Sequence, residues 1–431
     1  MLRVGVVLCL FFVAMPVSWA DSSARKQDSA AQQVARLAAM PEVHAAFEWF
    51  RTHARDIAER QMEVTRIPAP PFGESHRAEW FRARFLELGL TEVHIDEAGN
   101  VLGVRPGTAP GCKFVAVMAH IDTVFPHGTP IDIHREGDRL AGPGISDNGA
   151  GMAALLAVIS ALQAANIRNG SPILFIANVG EEGEGDLRGT RHVFEDPRWR
   201  QAIGSTLVID GGGTDTLVTE GLGSRRFLAT VRAPGGHSWS DFGTPNPIVL
   251  LARAIDAFSR TPIPSDPRSA FNIGVISGGT SVNSIPESAS MKVDIRSSSP
   301  AELDRLEKAL RDALAQATAD VHTGGPAKRD GAEVSYTVKL IGDRPAAELP
   351  ANARILQVLK AVDAQLGINS RQQRASTDAN IPLSLGREAM AIGGGGIGGG
   401  AHTLHEWYDP TNRDVGLRRI LLAVLALSGV Q

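Results

Sequence analysis

At 431 residues, with 43% hydrophobic and 21% charged residues, the chain has the composition of a globular protein and the length of two domains rather than one core. Its net charge of −4, with acids and bases interspersed, excludes the basic footprint of a nucleic-acid or polyanion binder. Of its two cysteines, Cys9 falls in the segment treated next, so Cys112 stands alone and no internal disulfide is expected.

The first twenty residues read as an export signal. Arg3 supplies a small positive region, Val4 to Ala14 an apolar stretch, and Ser18, Trp19 and Ala20 a small-residue cleavage site. The stretch is short beside the ~20 residues a membrane span needs. Cleavage near Ala20 and an exported chain, periplasmic or secreted, are therefore expected, with no stable membrane insertion. A polar stretch from Asp21 to about Gln33 makes residues 21–40 a flexible leader, and an amphipathic helix from Pro41 to Met62 begins the core.

Three later runs, Phe114 to Ala119, Ile173 to Val179 and Thr206 to Ile209, are apolar throughout, as strands of a parallel sheet buried on both faces are. Between the first two, Met152, Leu155, Leu156, Ile159 and Leu162 recur at helical spacing, so the chain reads strand, helix, strand, as a crossover unit requires. Acids and a histidine stand just past these elements: His120 after the first run, Asp147 at a glycine turn before the helix, Glu181 and Glu182 after the second, Asp210 after the third. Carboxyl ends of parallel strands converge on one crevice, so the five side chains can meet.

From Arg225 to about Leu340 the pattern changes. Phe227, Ala229 and Val231 alternate with Leu228, Thr230 and Arg232; a helix follows from Pro247 to Phe258 and a strand from Phe271 to Ile276. Met291, Val293 and Ile295 then alternate with Lys292, Asp294 and Arg296, before a helix carrying Leu303, Leu306, Leu310 and Leu314 and a strand from Val334 to Leu340. That order, β-α-β-β-α-β, is the split unit of ferredoxin-like domains, with one sheet face on two helices and the other free. The run from Gly393 to Gly400, broken only by Ile397, lacks the Lys-Ser or Lys-Thr of a phosphate cradle and reads as a loop of close backbone approach. No second histidine follows His405-Glu406 at the offset of an HExxH zinc motif, so His405 is read as a bystander or a cleft-lining residue.

Imidazole and carboxylates suit a borderline cation such as zinc, and one Asp can bridge two metals roughly 3.5–4 Å apart. Water there loses a proton at a pKa of about 7, and an unligated carboxylate beside it serves as general base. Plainer readings exist for each residue. Asp147 could cap the helix that follows it, Glu181 and Glu182 could be a solvated loop, and Arg296 could belong to an ordinary polar strand face. As an ordered set in matched strand contexts, the residues point to a metal site.

The segments "HIDTVFP" (120–126), "GISDNGAG" (144–151), "VGEEGEGDLRG" (179–189), "VIDGGG" (208–213), "GGHSWSDFG" (235–243) and "GAHTLHEW" (400–407) resemble, in order, the motifs of a co-catalytic zinc metallopeptidase family. That family includes peptidase T, carboxypeptidase G, carnosine dipeptidase, succinyl-diaminopimelate desuccinylase and aminoacylase. "RIPAPPFGE" (66–74) and "GDLRG" lean toward its peptidase T-like branch. The resemblance implies His120 and Asp210 on one zinc, Glu182 and His402 on the other, and Asp147 between them, with Co2+ or Mn2+ as alternative ions. It makes Glu181 the general base and Asp122 the acid that orients His120, and it implies a cis peptide after Asp147. It makes His237 a lid histidine that steadies the oxyanion from a neighbouring subunit, and gives Asn283 and Arg296 a substrate carboxylate.

The implied fold is an α/β zinc-exopeptidase-like catalytic domain with a mixed, largely parallel sheet, over 41–223 and 345–431, interrupted by a ferredoxin-like α+β lid/dimerisation domain over 224–344. The implied activity is amide hydrolysis of short peptides by a homodimer joined through its lid, with di- and tripeptide aminopeptidase favoured. N-acyl amino acid deacylation, glutamate-type carboxypeptidase chemistry and a non-catalytic binding protein on the same fold are the alternatives.

Overall fold

The computed structural model describes residues 29–319 and 333–430; the export signal expected over 1–20 lies outside them. Among the described residues no helix is long and apolar enough to cross a membrane.

The expected leader is in part a helix. Ala30–Ala38 opens on a capping box in which Ser29 Oγ accepts from Gln32 N–H (3.3 Å) and Gln32 Oε1 accepts from Ser29 N–H (3.1 Å). It buries Val34 and Leu37 against the helices Arg354–Leu366 and Arg413–Ser428, and each such side chain contributes about 1.5–3 kcal/mol. Its polar residues occupy the outer face, which is why composition alone makes it a leader. The helix expected over 41–62 is two, Pro41–Thr52 and Ala54–Thr65, separated at His53, whose ring stacks on Trp49 at 4.3 Å.

The three apolar runs form the centre of a sheet that has nine strands among the described residues. Phe114–His120 lies between Ile173–Asn178 and Ile203–Ile209, parallel to both, and Glu388–Ile392 extends the parallel set beyond Ile203–Ile209. Antiparallel strands Val101–Arg105 and Thr216–Gly221 flank this core, so the sheet is mixed. Helix Gly149–Ala164 sits between the sheet and the helices Pro41–Thr52 and Ala54–Thr65. It is apolar on nearly every side, with Ala153, Ala154, Ala157 and Val158 buried as well as the spaced leucines.

The inserted unit is a four-stranded antiparallel sheet in the order Ser269–Gly278, Ser288–Ser297, Gly223–Arg232, Ser335–Arg344. Helices Pro247–Ser259 and Pro300–Ala319 cover one face, where Phe227, Ala229, Val231, Met291, Val293 and Ile295 are buried. Its base is fastened to the loop after Asn178. Arg226 donates to the Gly183 carbonyl, Lys292 pairs with Glu184 at 2.6 Å, and both Asp186 oxygens accept from Asp343 N–H at 3.0 Å.

Candidate metal centre

Three adjacent parallel strands end at one place, and each delivers a side chain there. His120 is the last residue of the central strand, Asp210 follows Ile209 directly, and Glu181 and Glu182 follow Asn178 by a short glycine turn. Asp147 comes from the turn before helix Gly149–Ala164, and His402, at φ +65°, from the loop after Ile397–Gly399. His120 Nε2 lies 3.2 Å from Asp147 Oδ1 and 3.7 Å from Asp210 Oδ1. On the other side, His402 Nε2 lies 3.2 Å from Asp147 Oδ2 and 3.0 Å from Glu182 Oε1. Two donor groups result, His120/Asp147/Asp210 and Asp147/Glu182/His402, sharing Asp147 through different oxygens.

The donor set fits a pair of cations. His120 Nε2 and Asp147 Oδ1 are buried without a hydrogen-bond partner although only 3.2 Å apart. A buried donor set left so would cost free energy unless an ion completes it. Nitrogen and oxygen donors in this ratio suit zinc.

Asp147 is not the helix cap. Asn148 is: its Oδ1 accepts from Gly151 and Gly211 N–H (3.1 and 3.0 Å), and its Nδ2 donates to the His120 and Ile209 carbonyls (3.2 and 3.1 Å). One buried side chain thus ties together the three segments that carry His120, Asp147 and Asp210. The Asp147–Asn148 peptide is cis. Asp122, fully buried, accepts from Glu181 N–H (3.0 Å) and Glu182 N–H (2.8 Å) and approaches His120 Nδ1 at 3.5 Å, so it fixes the glutamates as well as the imidazole.

Neither glutamate is a solvated-loop residue: both are buried. Burial holds the Glu181 carboxyl well above the usual carboxylate range; Arg344 opposes the shift, and Glu182 adds to it. Arg344 Nη1 donates to Glu181 Oε1 at 3.0 Å, and its Nη2 to the Glu181 carbonyl. Hydrogen bonds to Asp147 and Glu182 push the His402 imidazole up to about 10, against burial.

Sequence reasoning missed Arg344, and with it Arg77, whose buried guanidinium bonds the Thr65, Ile67 and Ile121 carbonyls around the His120 turn. It also missed Glu406, whose carboxylate accepts from Gly144, Ser146 and Asp147 N–H. The glycine run allows close packing. A Cβ on Gly396 would stand 2.2 Å from Tyr408 Oη, and one on Gly398 1.9 Å from Ser146 Oγ.

The other expected site residues are not at this centre. His237 and Asn283 lie on a two-stranded ribbon at the far end of the inserted sheet, where Ser238 N–H donates to the Asn283 carbonyl at 3.0 Å. Arg296 lies near its base, its Nε on Asp294 at 2.6 Å. Asn283 and Arg296 are therefore no pair within one chain. From Ser288 to Arg296 the strand alone spans roughly 27 Å at its usual rise.

Comparison with known proteins gives the family expected from the six motifs. The profile described as Peptidase family M20/M25/M40 matches residues 116–426. A "probable carboxypeptidase" of Aspergillus clavatus is 29% identical over 249 residues, 52% of this chain and 54% of that one. Carboxypeptidase G2 of a Pseudomonas species is 26% identical over 252 residues, 57% of this chain and 60% of that one, so the matched stretch spans little more than half of either relative. Among solved structures, aminopeptidase PepT of Bacillus cereus superposes with a TM-score of 0.67 at 20% identity, covering 86% of this chain and 98% of that one.

Proposed function

The chain belongs to peptidase family M20/M25/M40, and on that premise we propose that it is a metal-dependent exopeptidase hydrolysing the amide bond of short peptides. The observation that carries this is the sharing of Asp147 between two donor groups, one oxygen facing His120 and the other His402. His120, Asp147 and Asp210 would hold one ion and Asp147, Glu182 and His402 the other, with zinc the first choice and Co2+ or Mn2+ as substitutes. When bound, the ions supply Lewis acidity and a lowered water pKa.

Glu181 belongs to neither donor group and is the general base. It takes a proton from the attacking water as oxygen bonds to the carbonyl carbon, and returns it to the leaving nitrogen as the C–N bond breaks. Arg344 holds that carboxylate in place, and Asp122 holds the backbone N–H of the same residue. His237 steadies the oxyanion. Its Nδ1 accepts from Trp239 N–H at 3.2 Å, so the neutral ring carries its proton on Nε2, free to donate outward. Such a donor is worth ~2.7–4 kcal/mol in the transition state.

His237 does this from a second copy of the chain. Arg226, at the near end of strand Gly223–Arg232, is bonded to the Glu182 loop, and Arg232 lies six residues, or roughly 20 Å, farther out. The edge strand Ser269–Gly278, with Val275 and Ile276 exposed, supplies a surface for a homodimer through the lid. In that dimer Arg296 comes from the subunit that holds the ions and Asn283 from its partner, and together they hold a substrate carboxylate. The exported location expected from residues 1–20 is part of the same proposal.

A second reading, cleavage at the carboxyl end or deacylation of N-acyl amino acids, is favoured by Arg296 and by the carboxypeptidase names of two relatives. One assay separates the two: release of amino acids from di- and tripeptides with free, amino-blocked or carboxyl-blocked ends, before and after chelation and zinc restoration. Zinc-dependent release lost on amino blocking supports the aminopeptidase. Loss on carboxyl blocking supports the second reading, and release that persists after complete chelation would sink the metal mechanism.

A further inference from the structure

Glu406 is buried in the loop that carries His402, and the chemistry above gives it no part. Its Oε2 accepts from Gly144 N–H (2.9 Å) and its Oε1 from Ser146 N–H (2.7 Å) and Asp147 N–H (2.6 Å). Its own carbonyl accepts from Gly142 N–H at 2.8 Å. Among the described residues no lysine, arginine or histidine forms an ion pair with it. A carboxylate taken out of water is costly, and three convergent N–H donors are the compensation that makes it tolerable.

All four bonds fall on one short turn, and the last donor is the backbone of Asp147. The carboxylate of Asp147 must face two ways at once, Oδ1 toward His120 and Oδ2 toward His402, which leaves its backbone little freedom. Glu406 also sits four residues beyond His402, so it joins two donors of one group that are far apart in sequence. We propose that Glu406 is a positioning residue for the metal pair, fixing the Asp147 peptide against the His402 loop so that both oxygens of Asp147 meet their ions. This rests on the reading of the site as a metal pair.

Glu406→Gln keeps the volume but turns an acceptor into an amide that confronts N–H donors. Glu406→Asp keeps the charge on a shorter stem. The test uses the full mature chain: Zn2+ titrated against a chromophoric chelator to give both dissociation constants, with melting of the metal-free protein alongside. Glu406→Gln should weaken both ions by about 10–100-fold, as loss of an outer partner of a metal ligand does, with Glu406→Asp between it and wild type.

Both ions should weaken because Asp147 is common to them, whereas His402→Ala should weaken one. Unchanged dissociation constants with a lower melting temperature would make Glu406 merely structural and overturn the inference. So would a loss confined to one ion. If Glu406→Gln does not fold, Glu406→Asp is judged by the same criteria. Wild-type protein that binds no zinc would overturn the reading of the site and this inference together, and is told apart by the wild-type titration alone.

Discussion

Glu181 and Glu182 are neighbours in sequence to which the proposed mechanism gives separate work, and single substitutions divide them. Glu181→Gln should still bind two ions and fold, yet lose roughly 10²–10⁴ in kcat, the range for a general base. Metal content and turnover measured on one sample check this, and a metal-replete Glu181→Gln at wild-type rate would remove Glu181 from the mechanism. Asp147→Ala should lose metal as well as activity, because it empties a position in both donor groups. His120, Asp147, Glu181, Glu182 and Asp210 were legible in sequence because each follows a buried apolar strand or a glycine turn, whereas His402 and Asp122 came only from the resemblance to the family's motifs. Asn148, Arg77, Arg344 and Glu406 were not legible. Each bonds backbone or side-chain groups from distant segments, and such a residue leaves no periodic trace along the chain.

At the scale of elements, the glycine loop and a buried ion pair can each be tested by stability. Gly398→Ala forces a Cβ to within 1.9 Å of Ser146 Oγ, so it should cost about 1–3 kcal/mol, as overpacking does. Ser146→Ala in the same chain should recover part of that cost, measured by denaturant unfolding. Helix Arg413–Ser428 is pinned by Arg419, whose Nε and Nη2 reach the two oxygens of Asp363 at 2.6 and 2.8 Å with both residues buried. Arg419→Met alone should cost about 3–5 kcal/mol, and adding Asp363→Leu should return most of it, since the unpaired buried charge is the penalty. The three central parallel strands could be read from apolar runs because burial on both faces removes polar residues, whereas Glu388–Ile392 was not read. Helix Ala30–Ala38 escaped that reading although Ser29 and Gln32 mark its start, since only Val34 and Leu37 face the core deeply.

Across the whole molecule, the inserted sheet separates His237 from the two donor groups, and the proposed mechanism needs both. His237→Ala should lower kcat by roughly 10²–10³ without loss of metal. Mixed with Glu181→Gln protein and allowed to exchange subunits, it should regain activity that neither variant has alone, because one mixed-dimer site then has both base and donor. Absence of recovery, with exchange verified, would place the histidine in its own subunit. Specific activity should also fall on dilution below the dimer dissociation constant.

His402 meets Glu182 across 220 residues of sequence, and Glu406 meets Asp147 across 259. The chain entropy of closing such loops must be met before these contacts give anything back, so local strands and helices should form first and the Asp147 turn should meet the His402 loop late. If the two donor groups hold ions as proposed, competence to hold both would report the end of folding: a chain stalled earlier would keep its strands and helices and still be unable to retain the pair.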